Sequence, residues 1–173
     1  RAVVARQARP PVAGEHRLVT PPPGPILLIG GSAQLANRRQ ADHLSHTQGI
    51  PVHQLQLRDP MGAAAALIAS LRTHSAAMLV VAPLRFDSAS VLAAVAAVAA
   101  RVVHESGVRR IFATGGETAF ALCRSLEIAV LDFRDEIEAG LGLADGMSRD
   151  GPVVLAIKPG GFGDEHTWER AWE

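Results

Sequence analysis

The chain has 173 residues, 48% of them hydrophobic and 4% aromatic, with a single cysteine. That length supports one well-buried domain and is short for two. Lys+Arg and Asp+Glu both number 17, so the formal net charge is zero; no global field recruits nucleic acid or an anionic membrane, and any anion must be held by local geometry.

Residues 1–25 differ in composition from the rest of the chain. Arg1, Arg6, Arg9 and Arg17 stand beside Pro10, Pro11, Pro21, Pro22, Pro23 and Pro25, a combination that favours extended polyproline backbone. The segment reads as a linker or the remnant of a preceding domain, with the chain as a piece of a longer protein and residues 26–173 as its folded domain. The arginines are not followed by the apolar core and cleavage pattern of a signal peptide.

From Ile26 onward, short apolar runs rich in β-branched residues alternate with helical patterns. This predicts an α/β fold: a three-layer, mostly parallel, Rossmann-like sheet with helices on both faces. The predicted strands are Ile26 to Ile29, Val52 to Leu57, Met78 to Ala82, Arg110 to Thr114, Ile128 to Phe133 and Val153 to Lys158. Between them, apolar residues near a 3.6 period predict helices over Ala33 to Gln48, Met61 to His74, Ala89 to Ser106 and Ala119 to Leu126. Ser32 and Ser88 stand where N-caps belong, and Gly49 and Gly107 where helices end. No apolar run reaches the roughly 18 residues of a membrane span: Arg85 and Asp87 interrupt after Ala82, and the run from Val91 to Ala100 is dominated by alanine. Cys123, inside a predicted helix, has no second cysteine to pair with, which fits a cytoplasmic protein.

Three predicted strands end in glycine: Gly30-Gly31-Ser32, Gly115-Gly116-Glu117-Thr118 and Gly160-Gly161-Phe162-Gly163. In a parallel sheet, ligands gather at the carboxyl ends of the strands. The second cluster opens a helix, where converging backbone N–H groups and the helix dipole favour an anion. The third is led by Lys158, the only lysine among 17 basic residues; a compact ammonium at the mouth of a glycine loop points to a phosphate. Neither standard nucleotide fingerprint is present: Lys158 precedes its glycines, and no G-x-G-x-x-G follows the first strand.

Thr114-Gly115-Gly116-Glu117-Thr118-Ala119, followed after about forty residues by Leu155-Ala156-Ile157-Lys158-Pro159-Gly160-Gly161-Phe162-Gly163, resembles the C-terminal nucleotide-binding domain of the four-carbon acid sugar kinases, which include threonate, erythronate and 3-oxo-tetronate kinases. The stretch from Gly31 to Gln40 is similar to that family's Gly-Ser-x-Ser-x-x-Thr-x-x-Gln. Gln34 stands in place of its second serine, Asn37 of its threonine, and Pro159 where serine or alanine is usual. The resemblance implies an ATP-binding domain that works with an N-terminal sugar-acid domain not in this chain, the acceptor base coming from that domain. By matching motif, Gly115, Gly116, Glu117 and Thr118 would contact the nucleotide, Gly160 and Gly161 would let backbone approach the phosphates, and Ser32 would open the first loop. ATP with Mg²⁺ is the implied cofactor pair, Lys158 a source of positive charge, and a homodimer a candidate assembly. The rival reading is a non-catalytic nucleotide- or phosphate-binding module, since some family members carry labels linking them to type III secretion.

Other residues have plainer readings. Glu117 and Thr118 suit the first turn of a helix. His43 and His46, with Asp42 beside them, have metal-pair spacing but no third ligand in the sequence, so no metal site is assigned and a solvated helix face is expected. Asp132, Asp135, Glu136 and Glu138 read as a solvated loop after the fifth strand. Trp168 and Trp172, at i and i+4, are expected to dock a terminal helix.

Overall fold

A computed structural model describes residues 24–31, 33–82 and 87–173. Ser32, the expected linker up to residue 23, and the interrupting Arg85 lie outside these residues. In chain order the elements are β1 (Ile26–Gly30), α1 (Leu35–Gln48), β2 (Val52–Gln54), α2 (Pro60–Leu71), β3 (Ala76–Val80), α3 (Ser88–Ser106), β4 (Arg110–Thr114), α4 (Gly116–Ser125), β5 (Leu131–Glu138), β6 (Leu141–Ser148), β7 (Gly151–Lys158) and α5 (Thr167–Trp172).

One seven-stranded sheet carries the order β2-β3-β1-β4-β7-β6-β5. The β2-β3-β1-β4-β7 neighbours pair in parallel, and β6 joins β7 and β5 antiparallel. The mostly parallel α/β architecture expected from the alternating pattern is therefore present. β1 and β3 are buried along their whole length, as strands covered on both faces must be, which is why they read as continuous apolar runs.

The sheet separates two cores. Leu27, Ile29, Leu79, Ile111 and Leu155 point to one face and meet Leu67 of α2, Val95, Val98 and Val102 of α3, and Leu122 of α4. Ile26, Leu28, Met78, Phe112 and Ala156 point to the other and meet Ala41 and Leu44 of α1 with Trp168 of α5. Trp168 is completely buried and sits edge-on to Phe112, ring centroids 5.2 Å apart. The tryptophan pair thus docks a terminal helix, as its spacing predicts.

Helix ends follow backbone chemistry. Gly49 and Gly107 close α1 and α3 with φ of 67° and 71°, the left-handed conformation that a side chain resists. Asp87, not Ser88, caps α3: its carboxylate accepts from the Ala89 and Ser90 amides, and these bonds hold its pKa below the usual carboxylate range. Asp59 caps α2 from just before Pro60. α3 is long and apolar enough, by length and composition alone, to cross a membrane, contrary to the reading of its alanines; its Val95, Val98, Ala99, Val102 and Val103 are committed to the core.

The largest departure lies at the sheet's far edge. The acidic stretch expected as a loop is strand β5, joined through Ala139-Gly140 to β6. β5 is an edge strand, where charged side chains guard unpaired backbone. β6, Leu141-Gly142-Leu143-Ala144-Asp145-Gly146-Met147-Ser148, lacks β-branched residues and gave no strand signal. Elsewhere β2 stops at Gln54 rather than Leu57 and β3 begins at Ala76.

Candidate functional site

β1, β4 and β7 are adjacent and parallel, so their carboxyl ends deliver all three glycine turns to one edge of the sheet. Between them lies a cavity of about 400 Å³, a size suited to a small ligand. Gly31 and Gln34 contribute from the first turn, Gly115, Gly116, Glu117 and Thr118 from the second, and Gly160 from the third. Val81, Ala82, Val91 and Leu92 form an apolar wall, with Ser88 at the start of α3.

The second turn is built for close approach. Gly115 takes φ 92° and ψ 133° as the residue preceding α4, a conformation strained for any other residue. Its N–H donates to the Lys158 carbonyl at 2.8 Å, which ties the second turn to the root of the third. The first backbone bond inside α4 runs from Ala119 N to Gly115 O at 3.0 Å. Helix geometry thus leaves the Gly116, Glu117 and Thr118 amides as first-turn donors, with the positive end of the dipole behind them. A Cβ added to Gly116 would meet nothing within 4 Å, and Gly116 lines the cavity.

Gly31 and Thr118 show why the first turn needs glycine. A Cβ on Gly31 would fall 2.1 Å from Thr118 Oγ1, so the end of β1 presses directly on the first turn of α4. Gln34, immediately before α1, leans on the third turn: a Cβ on Gly161 would fall 2.5 Å from Gln34 Oε1. The position that departs from the family's serine therefore touches the third glycine turn, and the three turns interlock through side chains as well as backbone.

Lys158 is fully buried. Its Nζ donates to the carbonyls of Pro159 at 3.2 Å, Gly160 at 2.9 Å and Phe162 at 2.7 Å. An ammonium has three protons, and all three are committed to the adjoining loop. Burial lowers its pKa to about 8, with the Glu138 carboxylate pulling the other way. This geometry makes Lys158 an internal brace of the Gly160-Gly161 turn. Glu138, expected in a solvated loop, ends β5, pairs with Arg170 of α5, and Arg170 also binds Asp164 at 2.7 Å.

Among the eight residues read as ligand-binding, the structure brings Gly115, Gly116, Glu117, Thr118 and Gly160 to the cavity wall. Gly161 abuts Gln34, Lys158 lies beneath the loop, and Ser32 is outside the described residues. Gln34, Val91 and Leu92 were missed. Gln34 carried a usable signal, its place between a glycine pair and a helix; the valine and leucine read only as core. His46 does not join His43 as a ligand pair; the groups gathered around His43 are His166 and Glu169.

Residues 27–168 match the family model described as a nucleotide-binding C-terminal domain. A 3-oxo-tetronate kinase of Pseudomonas fluorescens is 36% identical over 72 residues, 42% of this chain and 16% of that protein. A D-threonate kinase of Cupriavidus necator is 39% identical over 67 residues, 38% of this chain and 16% of that protein. Among solved structures, a domain of unknown function from Bordetella bronchiseptica, a domain-swapped dimer with bound citrate, superposes with a TM-score of 0.76 at 26% identity, covering 86% of this chain and 40% of that one. A Haemophilus influenzae protein shares the fold with a TM-score of 0.71 at 23% identity over 88% of this chain and 40% of that one. The chain therefore spans well under half the length of the relatives it matches.

Proposed function

Because the chain belongs to the nucleotide-binding C-terminal domain family, we propose that its cavity holds ATP as the nucleotide half of a cytoplasmic sugar-acid kinase. The observation that carries this reading is the convergence of three glycine turns, one at the start of a ten-residue helix, on a single cavity. The Gly116, Glu117 and Thr118 amides meet the polyphosphate, where N–H donors and the dipole of α4 offset its charge. The Gly160 backbone, braced by Lys158, closes over it from β7. Val81, Ala82, Val91 and Leu92 offer the base an apolar surface.

Among the described residues, Glu117 is the carboxylate on the cavity wall. A carboxylate beside a polyphosphate is repelled unless a cation lies between them, and Mg²⁺ is held with one or two carboxylates plus phosphate oxygens and water. Glu117 thus fits as the Mg²⁺ contact. The ion supplies neutralisation of charge on the phosphate oxygens as the phosphoryl group transfers.

Phosphoryl transfer needs an acceptor held in line with the γ-phosphate. Relatives named 3-oxo-tetronate kinase and D-threonate kinase support a four-carbon sugar acid as that acceptor, bound with its proton acceptor by a domain outside this chain. A homodimer is the assembly proposed, by analogy with the Bordetella dimer.

The test is a phosphorylation screen of the longer protein carrying this domain, with ATP and threonate, erythronate and 3-oxo-tetronate. Acid phosphate formed by the longer protein and none by residues 1–173 alone is expected. Turnover by residues 1–173 alone, or none by the longer protein on any sugar acid, would contradict the reading.

A further inference from the structure

On the face of the sheet covered by α1 and α5, three ligand-bearing side chains from two elements converge. His43 projects from α1, while His166 and Glu169, three residues apart at the start of α5, share one helical face. The His43 Nε2, His166 imidazole and Glu169 carboxylate atoms all lie within 4.8 Å of one another. Glu169 Oε2 is 3.1 Å from His166 Nδ1 and 3.7 Å from His43 Nε2. From this juxtaposition we propose a site for a zinc-class divalent cation that cross-links α1 to α5.

Three observations carry the assignment. Zn–N and Zn–O bonds of about 2.0–2.2 Å at tetrahedral angles place neighbouring ligand atoms roughly 3.3 Å apart. The two distances to Glu169 bracket that value, all three ligand atoms lie within 4.8 Å of one another, and the half-exposed His166 side chain has room to adjust. Second, His43 Nε2 is buried with no hydrogen-bond partner, a costly state for a ring nitrogen that metal ligation resolves. Third, the carboxylate is already oriented: Gln48 Nε2 donates to Glu169 Oε1 at 2.9 Å, and Oε2, hydrogen-bonded to His166 Nδ1 at 3.1 Å, is the oxygen turned toward both imidazoles, where an ion would take the place of that hydrogen bond. Such outer partners fix first ligands in metal sites.

The donor set selects the cation. Two imidazoles and one carboxylate suit zinc and its first-row neighbours; Mg²⁺ and Ca²⁺ prefer all-oxygen cages. Water completes the coordination on the exposed side of His166. The site lies apart from the nucleotide cavity, and none of its three ligands lines that cavity. Its role is mechanical. The helix it clamps carries Trp168, which sits under β1 with a ring carbon 3.1 Å from where a Gly30 Cβ would stand, and Arg170, which holds Asp164 and Glu138. The ion therefore pins the segment C-terminal to the Gly160-Gly161 turn.

Tag-free, chelator-treated chain should bind one equivalent of Zn²⁺ in a calorimetric titration and show a raised melting temperature. Co²⁺ should give the visible absorption of a tetrahedral site, and millimolar Mg²⁺ should give no shift. His43→Gln and Glu169→Gln should each weaken Zn²⁺ binding by at least about tenfold, the lower end of the loss for disturbing even an outer partner. His166→Gln, at a half-exposed position, keeps the test informative if His43→Gln does not fold. No saturable Zn²⁺ binding by the parent chain, or undiminished binding by His166→Gln and Glu169→Gln, would overturn the proposal.

Discussion

The Lys158 ammonium donates to the Phe162 carbonyl at 2.7 Å, across four residues of chain, so the lysine that ends β7 folds the adjoining glycine turn back onto its own strand. Its other two protons go to Pro159 and Gly160. In this structure that charge shapes backbone.

Lys158→Met should therefore remove three charge-assisted hydrogen bonds to the loop and cost about 1.5–3 kcal/mol of stability, the scale of hydrogen bonds to a charged group. It should also weaken nucleotide binding indirectly by loosening the Gly160 turn. Lys158→Arg should rescue little, because a planar fork cannot reproduce three donors radiating from one point. Urea unfolding and nucleotide titration of both variants measure this; wild-type stability in Lys158→Met would contradict the brace.

The same group sets a pH dependence. Its pKa is about 8 in the folded chain against an ordinary 10.5. Between those values the unfolded chain binds more protons, so stability rises with pH. The penalty for burying the charge is fully present below about pH 8 and is gone above 10.5. The stability of wild type relative to Lys158→Met should increase from pH 8 to 10.5; a flat difference across that window would show that Lys158 titrates normally.

Gly31→Ala should destabilise by about 1–3 kcal/mol, as overpacking does, since the new methyl would meet Thr118 Oγ1 at 2.1 Å and Cγ2 at 2.4 Å. Thr118→Ala in the same chain should recover part of that loss, giving a non-additive pair. Thermal unfolding of the two single variants and the double variant tests it, and strict additivity would mean the two residues do not press on one another.

Much of this was legible because local chemistry dictated it. β1, β4, α3 and α4 follow from apolar runs and helical periods, and Gly49 and Gly107 from the left-handed ends they supply. The glycine turns pointed to one edge because parallel strands share a direction, although their adjacency came only with the strand order. β6 was hidden: it draws its stability from pairing with β7 and β5, and Gly142 and Gly146 mask strand propensity. Lys158 was found but its direction was not, since no sequence pattern shows where three protons point. The His43, His166 and Glu169 group joins distant parts of the chain and becomes visible only once α1 meets α5.

The central claim is tested most directly by titrating Mg²⁺-ATP and ADP into the chain by calorimetry, with Gly116→Val alongside. Gly116 lines the cavity and a Cβ there meets nothing within 4 Å, so valine is expected to crowd the start of α4 without disturbing the fold. The account predicts saturable nucleotide binding and a raised melting temperature for the parent chain, both lost in Gly116→Val while its unfolding remains cooperative. No heat and no thermal shift at millimolar nucleotide, or equal binding by Gly116→Val, would contradict it.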